Sequence, residues 1–136
     1  MLLLKPSKPV IASIVLSSGR YLIPRRDGHL LVGSTLEYTG FDKSTSAEAQ
    51  QSLYASAIAL VPALRNAPVI AHWAGLRPGA AQGIPFIGRL PRMRNLSVNA
   101  GQFRNGLVLA PASAGLQADL LLGRPPRVNP LPYQPV

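Results

Sequence analysis

The sequence predicts an α+β fold: a mostly antiparallel sheet with a long helix packed on one face. Three observations carry that prediction. Short extended segments fill the first 36 residues, one amphipathic stretch over residues 47–60 follows, and further extended segments precede a second helix-forming stretch. Strands, helix, strands, helix is the order of an α+β layer rather than of alternating βαβ units. At 136 residues and 47% hydrophobic content the chain has length for one compact core and is too apolar to stay disordered.

Each element has its own warrant. Met1 to Lys5, Val10 to Ser18, Tyr21 to Arg26 and His29 to Leu36 read as strands. Asp27-Gly28 between the last two supplies the positive φ angles of a tight hairpin turn. Leu30-Leu31-Val32-Gly33 is continuously apolar, as a strand covered on both faces is. Thr45 and Glu48 stand at capping-box spacing ahead of a helix from Ala47 to Leu60, with a loose last turn to Arg65 around Pro62. Ala49, Leu53, Ala57, Leu60 and Leu64 recur at helical period and predict its buried stripe. Pro68 to Leu76, a short piece around Phe86-Ile87 and Leu96 to Ala100 are strand-like. A second helix is predicted from near Pro111, through Leu116 and Leu120, to Gly123. The tail from Arg124 to Val136 holds five prolines and is expected to run extended over a surface.

Composition narrows the function classes. Fourteen basic and five acidic residues give a formal charge of +9, yet charged residues are only 14% of the chain. The excess comes from scarce acids. The bases are scattered, with no basic run or helix face, which argues against a nucleic-acid partner. No apolar stretch approaches the roughly 20 residues of a membrane span, and the N-terminus lacks a secretory pattern. Zero cysteines exclude disulfide scaffolds and thiolate sites and suit a cytoplasmic location.

The usual chemical signatures are missing too. His29 and His72 fall in different predicted strands without a second ligand at metal spacing, so no metal site is expected. The acids form no close pair for general acid-base work. No phosphate loop, nucleophile elbow or G-x-G-x-x-G fingerprint is present.

Three local features stand out. Arg77 closes an apolar strand beside Trp73, the only tryptophan. Its planar fork suits bidentate pairing with a carboxylate, although an arginine at a strand end is most often just solvated. Gly101 to Leu107 turns from strand toward helix with glycines on both sides of Arg104, either an ordinary loop or a place where backbone amides meet an anionic or carbonyl group. Tyr21 starts a hairpin arm, where a tyrosine is usually a cross-strand aromatic.

Four segments together, Tyr21-Leu22-Ile23-Pro24-Arg25-Arg26-Asp27-Gly28, Leu31-Val32-Gly33-Ser34-Thr35, Trp73-Ala74-Gly75-Leu76-Arg77-Pro78 and Gly101 through Pro111, resemble in order and spacing the C-terminal portion of the FAD-dependent D-amino acid oxidase family. The nearest likeness is to the glycine oxidases of thiamine biosynthesis. It covers the chain from Met1 to about Gly123 and implies that the FAD-binding fingerprint lies in a missing N-terminal part, before Met1. The implied division is a substrate-binding domain over residues 1–100 and a flavin-contacting loop, helix and tail over residues 101–136, the helix belonging with the missing FAD domain.

By position, the resemblance makes Arg77 the partner of the substrate carboxylate, Tyr21 the pocket tyrosine that orients it and Arg104 a second arginine beside the substrate. Leu36 contributes a pocket wall. Gln102, Phe103, Arg104, Asn105, Gly106, Leu107 and Val108 would lie against the flavin. Glycine oxidases commonly have histidine at the first of these positions, and this chain has Gln102. The implied reaction oxidises a small amino acid to its imine by hydride transfer to FAD, with reoxidation by oxygen. Such chemistry needs fixed geometry more than a protein base, so no acid-base residue is expected. The isolated chain is expected to be inactive, and a homo-oligomer is left open. The alternative is a stand-alone α+β binding module without catalysis.

Overall fold

Leu2, Leu4, Leu22, Leu30 and Val32, nearly all of the buried apolar residues of the first 36, point to one side of a single sheet in the computed structural model of the chain, which describes residues 1–135. The strands are β1 (Leu2–Leu4), β2 (Val15–Ser17), β3 (Arg20–Pro24), β4 (Leu30–Gly33) and β5 (Val69–His72), and they pair antiparallel in the order β2-β3-β4-β1-β5. Register explains the shared face: Leu22 lies opposite Val32, Val32 opposite Leu2, and Leu30 opposite Leu4. Because side chains alternate along a strand, these positions all face one way.

Helix α1 (Ala47–Leu60) covers that face. Leu53 and Ala57 of its predicted stripe are buried with the sheet leucines, and Leu64 joins them from a short 3-10 turn, Pro62–Leu64. Each buried leucine contributes about 1.5–3 kcal/mol by leaving water. The Tyr54 hydroxyl donates to the Arg65 carbonyl at 2.8 Å and also lies 3.2 Å from that of Ala67, which ties the end of α1 to the strand that follows.

Strands β6 (Phe86–Arg89) and β7 (Ser97–Ala100) form a separate antiparallel hairpin with helix α2 (Gly106–Leu122) against β6. Two compact units result, Met1–Leu76 and Arg77–Val136. The sequence reading expects one core divided at residue 100. The units meet at 76/77 because β6 and β7 pair with each other and pack on α2 instead of extending the first sheet.

The α+β class, the antiparallel sheet and the long helix follow the sequence prediction, and five details depart from it. First, only Gly28 of the Asp27-Gly28 pair has positive φ (81°); Arg25 N–H donates to the His29 carbonyl and Gly28 N–H to that of Arg25, so the loop is a five-residue connection closed by one left-handed glycine. His29 belongs to this loop and not to a strand. Second, Val10 to Ile14 is irregular, and the two-residue turn Ser18-Gly19, with φ of 47° and 74°, makes the β2–β3 hairpin. Third, Ser46 caps α1, its hydroxyl accepting from Ala49 N–H at 3.1 Å, in place of the expected Thr45 and Glu48 pair.

Fourth, α2 begins at Gly106 rather than near Pro111. Leu109 N–H already bonds to the Asn105 carbonyl at 2.8 Å. Pro111 sits inside the helix and forfeits the bond to the Leu107 carbonyl. Gly123 ends α2 in the left-handed region, φ 66°, as its position predicts. Fifth, the tail folds into a 3-10 turn, Leu131–Tyr133, against β6. Pro135 is buried, and a Cβ at Gly88 would stand 3.3 Å from its Cδ.

Candidate functional site

The predicted site residues fall into both compact units. Tyr21 and Leu36 belong to the first. Tyr21 lies on β3 opposite Gly33 of β4, half-buried, with its hydroxyl 3.3 Å from Met1 Sδ. A Cβ on residue 33 would overlap the tyrosine ring, so the ring can lie flat over the strand only because that residue is glycine. Leu36 follows β4, and half of its surface is exposed (50%).

The second unit holds the rest and ties them together through backbone. Gly79 forms an isolated antiparallel bridge with Gln102, and Phe103 N–H donates to the Pro78 carbonyl at 3.0 Å. Arg77 precedes this bridge by two residues on one segment and Arg104 follows it by two on the other, so both exposed guanidinium groups belong to one clamp. Phe103 has φ 49°, uncommon for a residue with a side chain, and turns the loop so that Asn105 N–H reaches the Gln102 carbonyl at 3.0 Å. Gly101, at φ 89° and buried, has no room for a side chain: its Cβ would stand 3.1 Å from Ala80 Cβ and 3.4 Å from Pro85 Cα.

Helix α2 opens directly from this loop. Asn105 offers it no side-chain cap, so the amides of its first turn lack the acceptor that a cap supplies. Leu107 and Val108 beside them are 91% and 82% exposed, unusual for large apolar residues at a helix start. Such a segment has hydrogen-bond donors and an apolar surface side by side. It can receive a flat, largely apolar group that carries carbonyl or anionic acceptors.

Sequence reasoning misses one residue near the loop. Asn99 of β7 donates from Nδ2 to the Ser113 carbonyl of α2 at 3.1 Å, and its Oδ1 accepts from Gln102 Nε2 at 2.5 Å. The only sequence signal is a polar residue three positions before Gln102. Elsewhere, the amide of His29 and its ring nitrogen hold the exposed Asp27 carboxyl below its ordinary value, and burial lowers the pKa of His72.

A family described as DAO, FAD dependent oxidoreductase, matches residues 1–120, and the chain belongs to that family. Its relatives are more specific. The chain is 56% identical over 135 residues to the glycine oxidases of Pseudomonas putida and Pseudomonas aeruginosa, a match that covers 99% of this chain and 37% of each relative. The crystal structure of glycine oxidase from Geobacillus kaustophilus superposes with a TM-score of 0.87 at 32% identity, over 98% of this chain and 36% of that one. The family resemblance carried by the four segments is thereby borne out. The chain spans little more than a third of the length of these curated relatives (37%).

Among the described residues, no helix is long and apolar enough to cross a membrane.

Proposed function

We propose that this chain supplies the substrate-facing and flavin-facing portion of a glycine-oxidase-like enzyme that oxidises a small amino acid to its imine. The observation that carries the reading is the Gly79–Gln102 bridge, which ties the arginine segment to the loop that opens α2. The names of the relatives supply the substrate class. When bound, FAD supplies the acceptor for the hydride that leaves the substrate α-carbon.

The residues present fit that group. Uncapped amides at the start of α2 can donate to the acceptor edge of a flavin, and the exposed Leu107 and Val108 side chains match its apolar faces. The space beside Gly106 is open, since a Cβ there would meet only Gln102 Cβ at an ordinary 3.7 Å. Gln102 to Val108 are accordingly assigned to the cofactor.

In this reading Arg77 holds the substrate carboxylate in a bidentate pair, and Arg104 adds a second positive charge beside it. Tyr21 orients the carboxylate through its hydroxyl, and Leu36 bounds the space for the substrate side chain. Substrate enters as an amino acid and leaves as an imine, so the protein's work is to fix the α-carbon and exclude water. The N-terminal FAD-binding part of the complete protein is the partner that the first turn of α2 requires. A cytoplasmic location belongs to the same reading and is suited by the lack of cysteine.

The test uses the complete protein loaded with FAD. Glycine or another small amino acid should bleach the flavin absorbance without oxygen, and the colour should return on aeration. A flavin that stays oxidised across a panel of small amino acids refutes the proposal.

A further inference from the structure

We propose that Asn99 is a positioning residue that fixes which end of the Gln102 side chain faces the bound group, leaving Gln102 Oε1 as a hydrogen-bond acceptor. The inference rests on the functional reading above for the identity of that group, and on hydrogen-bond valence for everything else.

The Ser113 main-chain oxygen can only accept. The Asn99 atom 3.1 Å from it must therefore be the amide nitrogen, Nδ2. This commitment turns Asn99 Oδ1 toward Gln102, at 2.5 Å, and an amide oxygen also can only accept. Gln102 must answer with Nε2, which leaves its oxygen for whatever lies beyond. One carbonyl in α2 thus sets the orientation of two amides in sequence. Ser113 is buried (6% exposed), so the anchor of the series is held by packing and not by solvent.

The consequence is chemical. A donor–acceptor series ending in Oε1 presents a neutral acceptor that keeps its polarity over the whole working pH range. It selects an N–H donor, either on the bound ring system or in the amine of the substrate. Gln102 also belongs to the Gly79–Gln102 bridge, so its side chain leaves from a backbone position fixed on the second side as well.

Five forms of the complete flavoprotein decide the matter: wild type, N99A, N99D, Q102A and the N99A/Q102A double variant. N99A frees the Gln102 amide to rotate and should weaken binding about three- to tenfold, the range of one neutral hydrogen bond. If the donor is on the ring system, the loss appears in the FAD dissociation constant without substrate. If it is the substrate amine, FAD binding is unchanged and KM rises. N99D still accepts from Gln102 but cannot donate to Ser113, so it should recover most of the binding while thermal stability stays low. On the Q102A background N99A should add nothing further.

Nitrogen-15 NMR of the Gln102 side-chain amide gives a reading independent of flavin. One of its two protons, the one bonded to Asn99, is expected to be shifted and exchange-protected in wild type and N99D and to lose that protection in N99A. The inference is overturned if N99D binds as poorly as N99A, if the two losses add, or if neither Gln102 amide proton is protected in wild type. A wild-type protein that shows that protected proton but holds no flavin overturns the functional reading alone.

Discussion

The ring of Tyr21 rests directly on the backbone of Gly33, its cross-strand neighbour, in the space that any larger residue would fill. The orientation of a proposed substrate-binding tyrosine is thus set by the absence of an atom on the adjacent strand. Gly33→Ala must push the ring away or separate β3 from β4, since the Cβ would meet ring carbons and the hydroxyl together. The expected cost is about 1–3 kcal/mol of stability. KM for the amino acid should rise more than kcat falls. Thermal melts and steady-state kinetics on the complete protein measure both, and an unchanged KM would remove Tyr21 from the pocket.

Arg77 carries the heaviest share of proposed substrate binding. Arg77→Ala should raise KM about 10- to 100-fold, as expected from losing a charge-assisted pair worth roughly 1.5–3 kcal/mol. Arg77→Lys keeps the charge and loses the fork, so it should recover only part of the loss. Full recovery by lysine would show that charge alone matters at this position.

Gly101→Ala should disturb the clamp without touching any proposed ligand contact. Left-handed backbone (φ 89°) and close approach to Ala80 and Pro85 act together here. Together they should cost about 1–3 kcal/mol and lower the melting temperature by several degrees. Release of FAD below the unfolding transition would accompany it, because the loop from Gln102 begins at this residue. A variant with wild-type melting and FAD retention would count against a rigid loop.

The Asp27 carboxyl has a lower pKa in the folded chain than the ordinary 3.8 because the His29 amide, and then its ring, bind the charged form. The sign follows from linkage. Its contribution to the hairpin is fully present above 3.8, declines as pH falls through that value, and is gone below the folded pKa. A carboxyl titration by NMR should place the Asp27 midpoint below 3.8. Asp27→Ala should lose the His29 amide protection at neutral pH. A midpoint at the ordinary value would mean that the contact does not persist in solution.

Much of the fold was legible because it rests on local signals. The stripe through Leu53, Ala57 and Leu64 has helical period, and the structure buries all three. Gly123 announces the end of α2 by the same logic. The errors arose where one local signal competed with another. Pro111 reads as a helix start, and only the Asn105 carbonyl, engaged by Leu109, shows that the helix is already under way. Thr45 and Glu48 fit a capping box, yet the adjacent Ser46 takes the cap. Arg77, Tyr21 and the Gly101 to Leu107 turn stand out locally and take their proposed roles from the family resemblance, while Asn99 has neither signal. Its role depends on a carbonyl 14 positions away in α2, which no spacing rule encodes.

The order of strands in the first unit has a consequence for biosynthesis. Strand β1 is made before the others but lies between β4 and β5, so its two hydrogen-bonding edges stay open until residues 30–33 and then 69–72 have been made. Leu2 and Leu4, among the most buried residues of the unit, get their final strand partners only then. The sheet therefore closes late, around its oldest segment, and non-local pairing of this kind folds slowly. A nascent chain arrested before Val69 has β1 but lacks one of its partners, and a chaperone that shields short apolar strands would find its substrate there.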